Sequence, residues 1–199
     1  MNSERNGDQT MNRRLTTGIL ITTLIGGAAA ATAVWSDDDG EHGIARWWRE
    51  ARHDVAAVNN PAYEQECGSC HLAYPPGLLP GESWRRIMEG LEQHFGDDAT
   101  LDADTRDRLT NYLLANGADR SGYRRSRAIA RSVGNGEAPL RITDTPYFRR
   151  EHHEIPPALV VGNDQVRSFA RCEACHARAK EGSFNEHEVN IAGVGQWDD

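Results

Sequence analysis

All four cysteines of this chain fall into two five-residue runs, Cys67-Gly68-Ser69-Cys70-His71 and Cys172-Glu173-Ala174-Cys175-His176. A Cys-x-x-Cys-His run is the attachment pattern of a c-type haem. Each thiol adds across one haem vinyl group, and the His that follows turns its imidazole onto the iron as proximal ligand. The spacing has a physical reason. Two vinyls lie on one edge of the porphyrin, and two thiols one helical turn apart reach both. The expected cofactors are therefore two covalently attached haem c groups, held by Cys67, Cys70, Cys172 and Cys175, with His71 and His176 on the irons. No thiol is left over. A four-thiol zinc site would not need a His directly after both pairs. A redox dithiol of thioredoxin type is disfavoured, because neither run sits in a strand-then-helix pattern.

Each iron then needs a sixth ligand. Ser83 reads as an N-cap, and the helix after it carries Trp84, Ile87, Met88, Leu91 and His94 at spacings of three or four. That places His94 on the apolar face, just ahead of Phe95-Gly96, as the expected distal ligand of the first haem. Met88 is the rival ligand, and its other reading is a gap-filler in the core. The choice matters because an axial Met raises the potential relative to His. Further on, Thr145-Pro146 reads as an N-cap followed by Pro at the first helical position. The helix it opens runs to Ile155, before Pro156-Pro157. Phe148, His152 and Ile155 share a face, whereas His153 faces with Arg149 and Arg150. His152 is the expected distal ligand of the second haem, His153 its exposed neighbour and His187 the runner-up. His42 and His53 read as surface histidines.

The elements that position these groups read as all-α, since strand-rich runs are scarce. Glu41 to Val58 has helical periodicity, with Ile44, Trp47, Trp48, Ala51 and Val55 near one face. Asn59-Asn60-Pro61 ends it. Three prolines exclude a regular helix over Tyr74-Pro75-Pro76-Gly77-Leu78-Leu79-Pro80, a stretch expected to turn Leu78 and Leu79 inward. Leu101-Asp102 opens a helix with Leu109, Tyr112, Leu113 and Leu114, closed by Gly117. Arg120 to Arg141, with Arg124, Arg125, Arg127 and Arg131, reads as a solvated helix followed by a loop at Gly134-Asn135-Gly136; the alternative is a basic segment that neutralises haem propionates or docks a partner. Val166, Phe169, Ala170 and Ala174 are expected to pack around the second haem, on a helix ended by Gly182-Ser183. The tail from Val189 shows no readable pattern. The expected organisation is a first haem domain over 41–118, similar to class I c-type cytochromes, a linker over 119–140 and a second haem domain over 141–191.

At the N-terminus, Asn12-Arg13-Arg14 precedes the uncharged stretch from Leu15 to Val34. A positive region followed by an apolar one is the layout of a secretory signal, and Ala31-Thr32-Ala33 offers a small-residue cleavage site. Residues 1–33 are expected to be a signal peptide, with an uncleaved anchor as the alternative, because about twenty apolar residues can span a bilayer. Either way the remainder is expected in the periplasm, where covalent haem attachment takes place. The net charge is −8. An acidic carrier of this kind is expected to dock on a basic face of its partner, at a salt-dependent rate. Nothing in the chain combines a basic face with interleaved aromatics, so nucleic acid is not an expected partner.

These motifs together resemble those of the bacterial dihaem cytochrome c family. The resemblance rests on Glu66-Cys67-Gly68-Ser69-Cys70-His71-Leu72-Ala73-Tyr74-Pro75-Pro76, Leu79-Pro80, Trp84 and His94-Phe95-Gly96. It continues through Arg141-Ile142-Thr143, Pro146, Phe148, Glu151-His152 and Cys172 to His176. It implies two low-spin, bis-histidine haems and an electron-transfer role, with His94 and His152 in the distal positions. It also implies two partners, a small soluble high-spin monohaem cytochrome c and a haem-bearing membrane cytochrome b. A dihaem peroxidase or reductase, or a redox or gas sensor, would instead need one iron with an open position. His153 stands where the resemblance leads one to expect a polar residue that is not a ligand.

Overall fold

A computed structural model describes residues 54–197. The leader over 1–33, the acidic spacer Asp37-Asp38-Asp39-Gly40 and most of the helix expected over 41–58, with His42, Trp47, Trp48 and His53, lie outside the described residues. The end of that expected helix does not form. Asp54 is a bend and residues 55–60 have no regular secondary structure. Asn60 is instead the N-cap of the next helix, α1 (Pro61–Cys67), accepting from the Tyr63 amide at 3.1 Å. Pro at the first helical position costs that helix nothing, since its missing N–H would have no partner there.

Among the described residues the α-helices that follow are α2 (Gly81–Glu89), α3 (Ala103–Asn116), α4 (Arg124–Val133) and α5 (Pro146–Glu151). The fold is mainly helical, with many short 3-10 turns and one small hairpin. The proline-rich stretch behaves as its composition dictates. It contains only a 3-10 turn, Pro76–Leu78, and buries Leu78 and Leu79. The ring nitrogen of Trp84 donates to the Pro76 carbonyl at 2.7 Å and ties this stretch to α2.

Ser83 is not the N-cap of α2. Pro80 occupies that position and Ser83 lies fully buried inside the helix. Nor does the helix reach His94. Gly90 caps it, and Leu91–Gln93 form a separate 3-10 turn. Gly favours such a stop because it is a weak helix former, about 1 kcal/mol less favourable than Ala in a helix interior. α3 matches expectation, with Asp102 as N-cap, Gly117 as C-cap and Leu109 and Leu113 buried. α2 and α3 pack against each other through Tyr63, Leu79, Trp84, Met88, Leu91, Leu109 and Leu113. Their ends meet closely: a Cβ on Gly117 would lie 2.8 Å from the Gly81 nitrogen.

α4 differs from the solvated helix that its arginines suggest. Ser126 and Ile129 on one face are buried. Ile129 joins a second cluster with Val55, Leu72, Leu78, Ala118, Ala179 and Phe184, drawn from both ends of the described chain. The region around the second Cys-x-x-Cys-His run is not a helix either. It is a pair of 3-10 turns, Cys172–Ala174 and Ala179–Glu181, closed by Gly182 at φ +79. The tail forms a two-stranded antiparallel hairpin, β1 (Asn190–Ile191) with β2 (Gly195–Gln196). Its Ile191 is fully buried with Val160, Val166 and Val189 in a third cluster.

Candidate functional site

The first attachment run follows α1 directly. Cys67 is the last residue of the helix and Gly68 its C-cap, so the chain turns sharply before Cys70 and His71. The Nδ1–H of His71 donates to the Leu72 carbonyl at 2.7 Å. That bond fixes the tautomer and leaves Nε2 with its lone pair, as a metal-binding imidazole requires. The ring of Tyr74 stacks against His71, with centroids 4.9 Å apart and planes 28° apart.

His94 faces His71, but on a turn rather than on a helix. Phe95 takes φ +57 and Gly96 φ +112, and the Asp97 amide returns to the His94 carbonyl at 3.1 Å. Phe95 packs edge-on against the His94 ring at 4.8 Å, and the Arg141 guanidinium lies 4.0 Å over Phe95. The centroids of His71 and His94 are 6.2 Å apart, with planes at 21°. Burial pushes the His94 imidazole below its ordinary pKa, helped by His71 and Arg141. The shift favours the neutral imidazole, the form that can ligate. Met88 is buried in the same core cluster as Trp84, Leu109 and Leu113.

The second site is built differently and arrives at the same spacing. Thr145 caps α5 by accepting from the Phe148 amide at 3.1 Å. α5 stops at Glu151, so His152 is its C-cap residue rather than an interior one. The His152 ring stacks on Phe148 at 3.8 Å, and its Nδ1–H donates to the Phe148 carbonyl at 3.0 Å. The centroids of His152 and His176 are 6.2 Å apart, with planes at 73°. Burial pushes His176 down to about 4, with His152 and Arg125 adding to the effect. Both histidines line a cavity of about 600 Å3, together with Cys172, Cys175, Phe148, Phe169, Val160 and Val166. His153 is exposed and bonds back to the Arg150 carbonyl at 2.8 Å. His187 is exposed at the same cavity's edge, 3.9 Å from Glu186.

These residues fit two haem groups on several independent grounds. Two imidazoles on opposite sides of one metal, each with a metal–nitrogen distance of about 2 Å, place their ring centroids on the order of 6 Å apart. Both pairs meet that spacing. The buried Nδ1 of His176 has no hydrogen-bond partner, so this ring is placed by something other than its own hydrogen bonds. None of the four cysteines is in a disulfide. Burial raises Cys67 to about 11 and Cys172 to about 12, which disfavours the thiolate that a redox dithiol would need. Among the described residues no three His, Cys, Asp or Glu side chains converge as a zinc site would require.

Comparison with known proteins decides the family. The family model for dihaem cytochrome c matches residues 63–184. The chain belongs to the dihaem cytochrome c family. A dihaem cytochrome c of Shewanella baltica OS155 is 41% identical with a TM-score of 0.58, covering 70% of this chain and 98% of that one. A dihaem cytochrome c of Rhodobacter sphaeroides is 40% identical with a TM-score of 0.56, covering 65% of this chain and all 100% of that one. A comparison with curated protein sequences gives no match. The dihaem cytochrome c carries two covalently bound haem c groups and transfers electrons.

Two residues that the sequence reading named only within longer stretches turn out to matter to the sites. Tyr74 belongs to the first site by its stack on His71, yet its hydroxyl reaches the Ala170 carbonyl at 2.6 Å, beside the second attachment run. Burial holds that hydroxyl's pKa well above its usual value, so it stays a donor. Arg125 lies on the face of α4 that turns inward, and lines the second cavity. It reaches Asp54 at 3.2 Å and the Tyr147 hydroxyl at 3.0 Å. The spacing of Arg125 with Ser126 and Ile129 carried the only signal, and the surrounding arginines masked it.

Proposed function

We propose that this dihaem cytochrome is an exported, acidic electron carrier with no bond-making activity of its own. The observation that carries the reading is the pair of opposed histidine couples, His71 with His94 and His152 with His176, each at 6.2 Å. Haem c supplies the one-electron chemistry when bound. Cys67, Cys70, Cys172 and Cys175 would hold the groups covalently, and the four histidines would close both faces of each iron. A site closed in this way has no position for substrate, which argues against a peroxidase or reductase. His153, the spare imidazole that such an enzyme could use, is exposed and turned to Arg150.

The proposed donor is a membrane cytochrome b or another quinol-linked protein, and the proposed acceptor a soluble high-spin monohaem cytochrome c. The N-terminal layout supports a periplasmic location, with 1–33 removed or retained as an anchor. The net charge of −8 favours a basic docking face on the partner. Stopped-flow mixing of the reduced protein with a ferric high-spin monohaem cytochrome c tests this. Fast oxidation that slows as salt rises is expected. No electron transfer at low salt would remove this acceptor from the scheme.

A further inference from the structure

The two histidine couples are joined by one side chain. Tyr74 lies three residues after His71 and stacks on its ring at 4.9 Å. Its hydroxyl donates to the Ala170 carbonyl at 2.6 Å, across a sequence separation of 96 residues. The same carbonyl lies 3.7 Å from the Sγ of Cys172, one of the two attachment atoms of the second site. The backbone of Tyr74 is itself held, because the buried Tyr63 donates its hydroxyl to the Tyr74 carbonyl at 2.9 Å. Tyr74 also packs against two hydrophobic clusters, the α2–α3 core and the cluster that contains Phe184 of the second site. A proximal imidazole, an aromatic ring, a short hydrogen bond and an attachment sulfur thus form an unbroken line from one site to the other.

We propose that Tyr74 couples the two haem sites, setting their spacing and carrying electron exchange between them. The proposal rests on the carrier reading above. In the exchange one iron passes from ferrous to ferric and the other from ferric to ferrous. No bond is made or broken, and Tyr74 keeps its proton. Tunnelling falls steeply with every open gap and less across a hydrogen bond or a ring in van der Waals contact. Tyr74 closes two such gaps at once, one with its ring and one with its hydroxyl.

The test is electron exchange within the half-reduced holoprotein, read by NMR exchange spectroscopy of the haem methyl signals. Tyr74→Phe keeps the ring on His71 and removes only the bond to Ala170. It should slow exchange severalfold with both potentials unchanged. Tyr74→Leu removes the ring contact as well and should slow exchange further. Tyr112→Phe removes a hydroxyl that accepts from the Asn59 amide and makes no hydrogen bond to Tyr74, and it should exchange at the native rate. If Tyr74→Phe and Tyr74→Leu both exchange at the native rate, Tyr74 only packs and the proposal is overturned. Equal slowing in Tyr112→Phe and Tyr74→Phe would also overturn it, as the sign of general loosening. Should Tyr74→Leu fail to fold, Tyr74→Phe alone decides. If the native protein itself shows no exchange, the two-haem carrier reading falls first and the coupling role falls with it.

Discussion

Removing the charge of Arg125 should lower the potential of the second haem. Arg125 sits on the wall of the second cavity, with its side chain 21% exposed and its partner Asp54 11% exposed. A cavity of about 600 Å3 is on the order of 10 Å across, and at an effective dielectric of about 20 a unit charge acts over that distance with about 1.7 kcal/mol. For a one-electron couple this is a shift of about 70 mV. The sign follows from charge. The reduced iron carries one positive charge less, so a nearby cation favours reduction and its loss lowers the potential. Arg125→Gln should therefore move the second wave down by about 70 mV. Asp54→Asn should move it up, because it leaves Arg125 without its counter-charge. Both should destabilise the fold, by about 3 kcal/mol, the low end for stranding one member of a buried pair because this pair is partly exposed. The assay is spectroelectrochemical titration of the holoprotein, resolved into two one-electron waves, with guanidinium unfolding alongside. Shifts of the same sign in both variants would refute the reasoning. So would a shift confined to the first haem.

The ring planes of the histidine couples, 21° apart in the first site and 73° in the second, should distinguish the two haems by low-temperature EPR of the oxidised protein. The near-parallel pair should give a rhombic low-spin signal and the near-perpendicular pair a strongly axial one with a larger maximal g value; two identical rhombic signals would contradict the geometry. Gly182→Ala should cost on the order of 3 kcal/mol, from about 1–2 kcal/mol of left-handed backbone strain and about 1 kcal/mol for a lost hydrogen bond. Its new Cβ would lie 2.4 Å from the Val55 carbonyl oxygen and disrupt the bond from the Val55 amide to the Gly182 carbonyl. Gly96→Ala, at φ +112 with nothing within 4 Å, should cost only the backbone part, and equal unfolding midpoints for the two variants would argue against the clash.

The chemistry was legible because it rests on residue identity at short range. The Cys-x-x-Cys-His spacing is local, and α3 declares both its caps in Asp102 and Gly117. His94 shows where local reading stops. The periodicity from Trp84 to His94 runs through Gly90, and the helix ends there. His94 still meets His71, on a left-handed turn made by Phe95 and Gly96. His152 also lies opposite the expected partner, from a C-cap position instead of a helix interior. What could not be read depends on distant contacts. Tyr74 and Ala170 are far apart in sequence. Ile129 is buried by partners from both ends of the described chain, in a helix whose composition is that of a surface. The hairpin at the tail has strands of only two residues and is ordered by Ile191 packing on Val160 and Val166.

All four histidines are proposed to act on iron and so to close both haems. Absorption spectra of the reduced holoprotein with and without carbon monoxide test it most directly, on the native protein and on His94→Ala and His152→Ala. The native spectrum should be low-spin and unchanged by carbon monoxide, and each variant should bind one carbon monoxide per protein. Rapid carbon monoxide binding by the native protein, or a variant whose spectrum matches the native one, would contradict it.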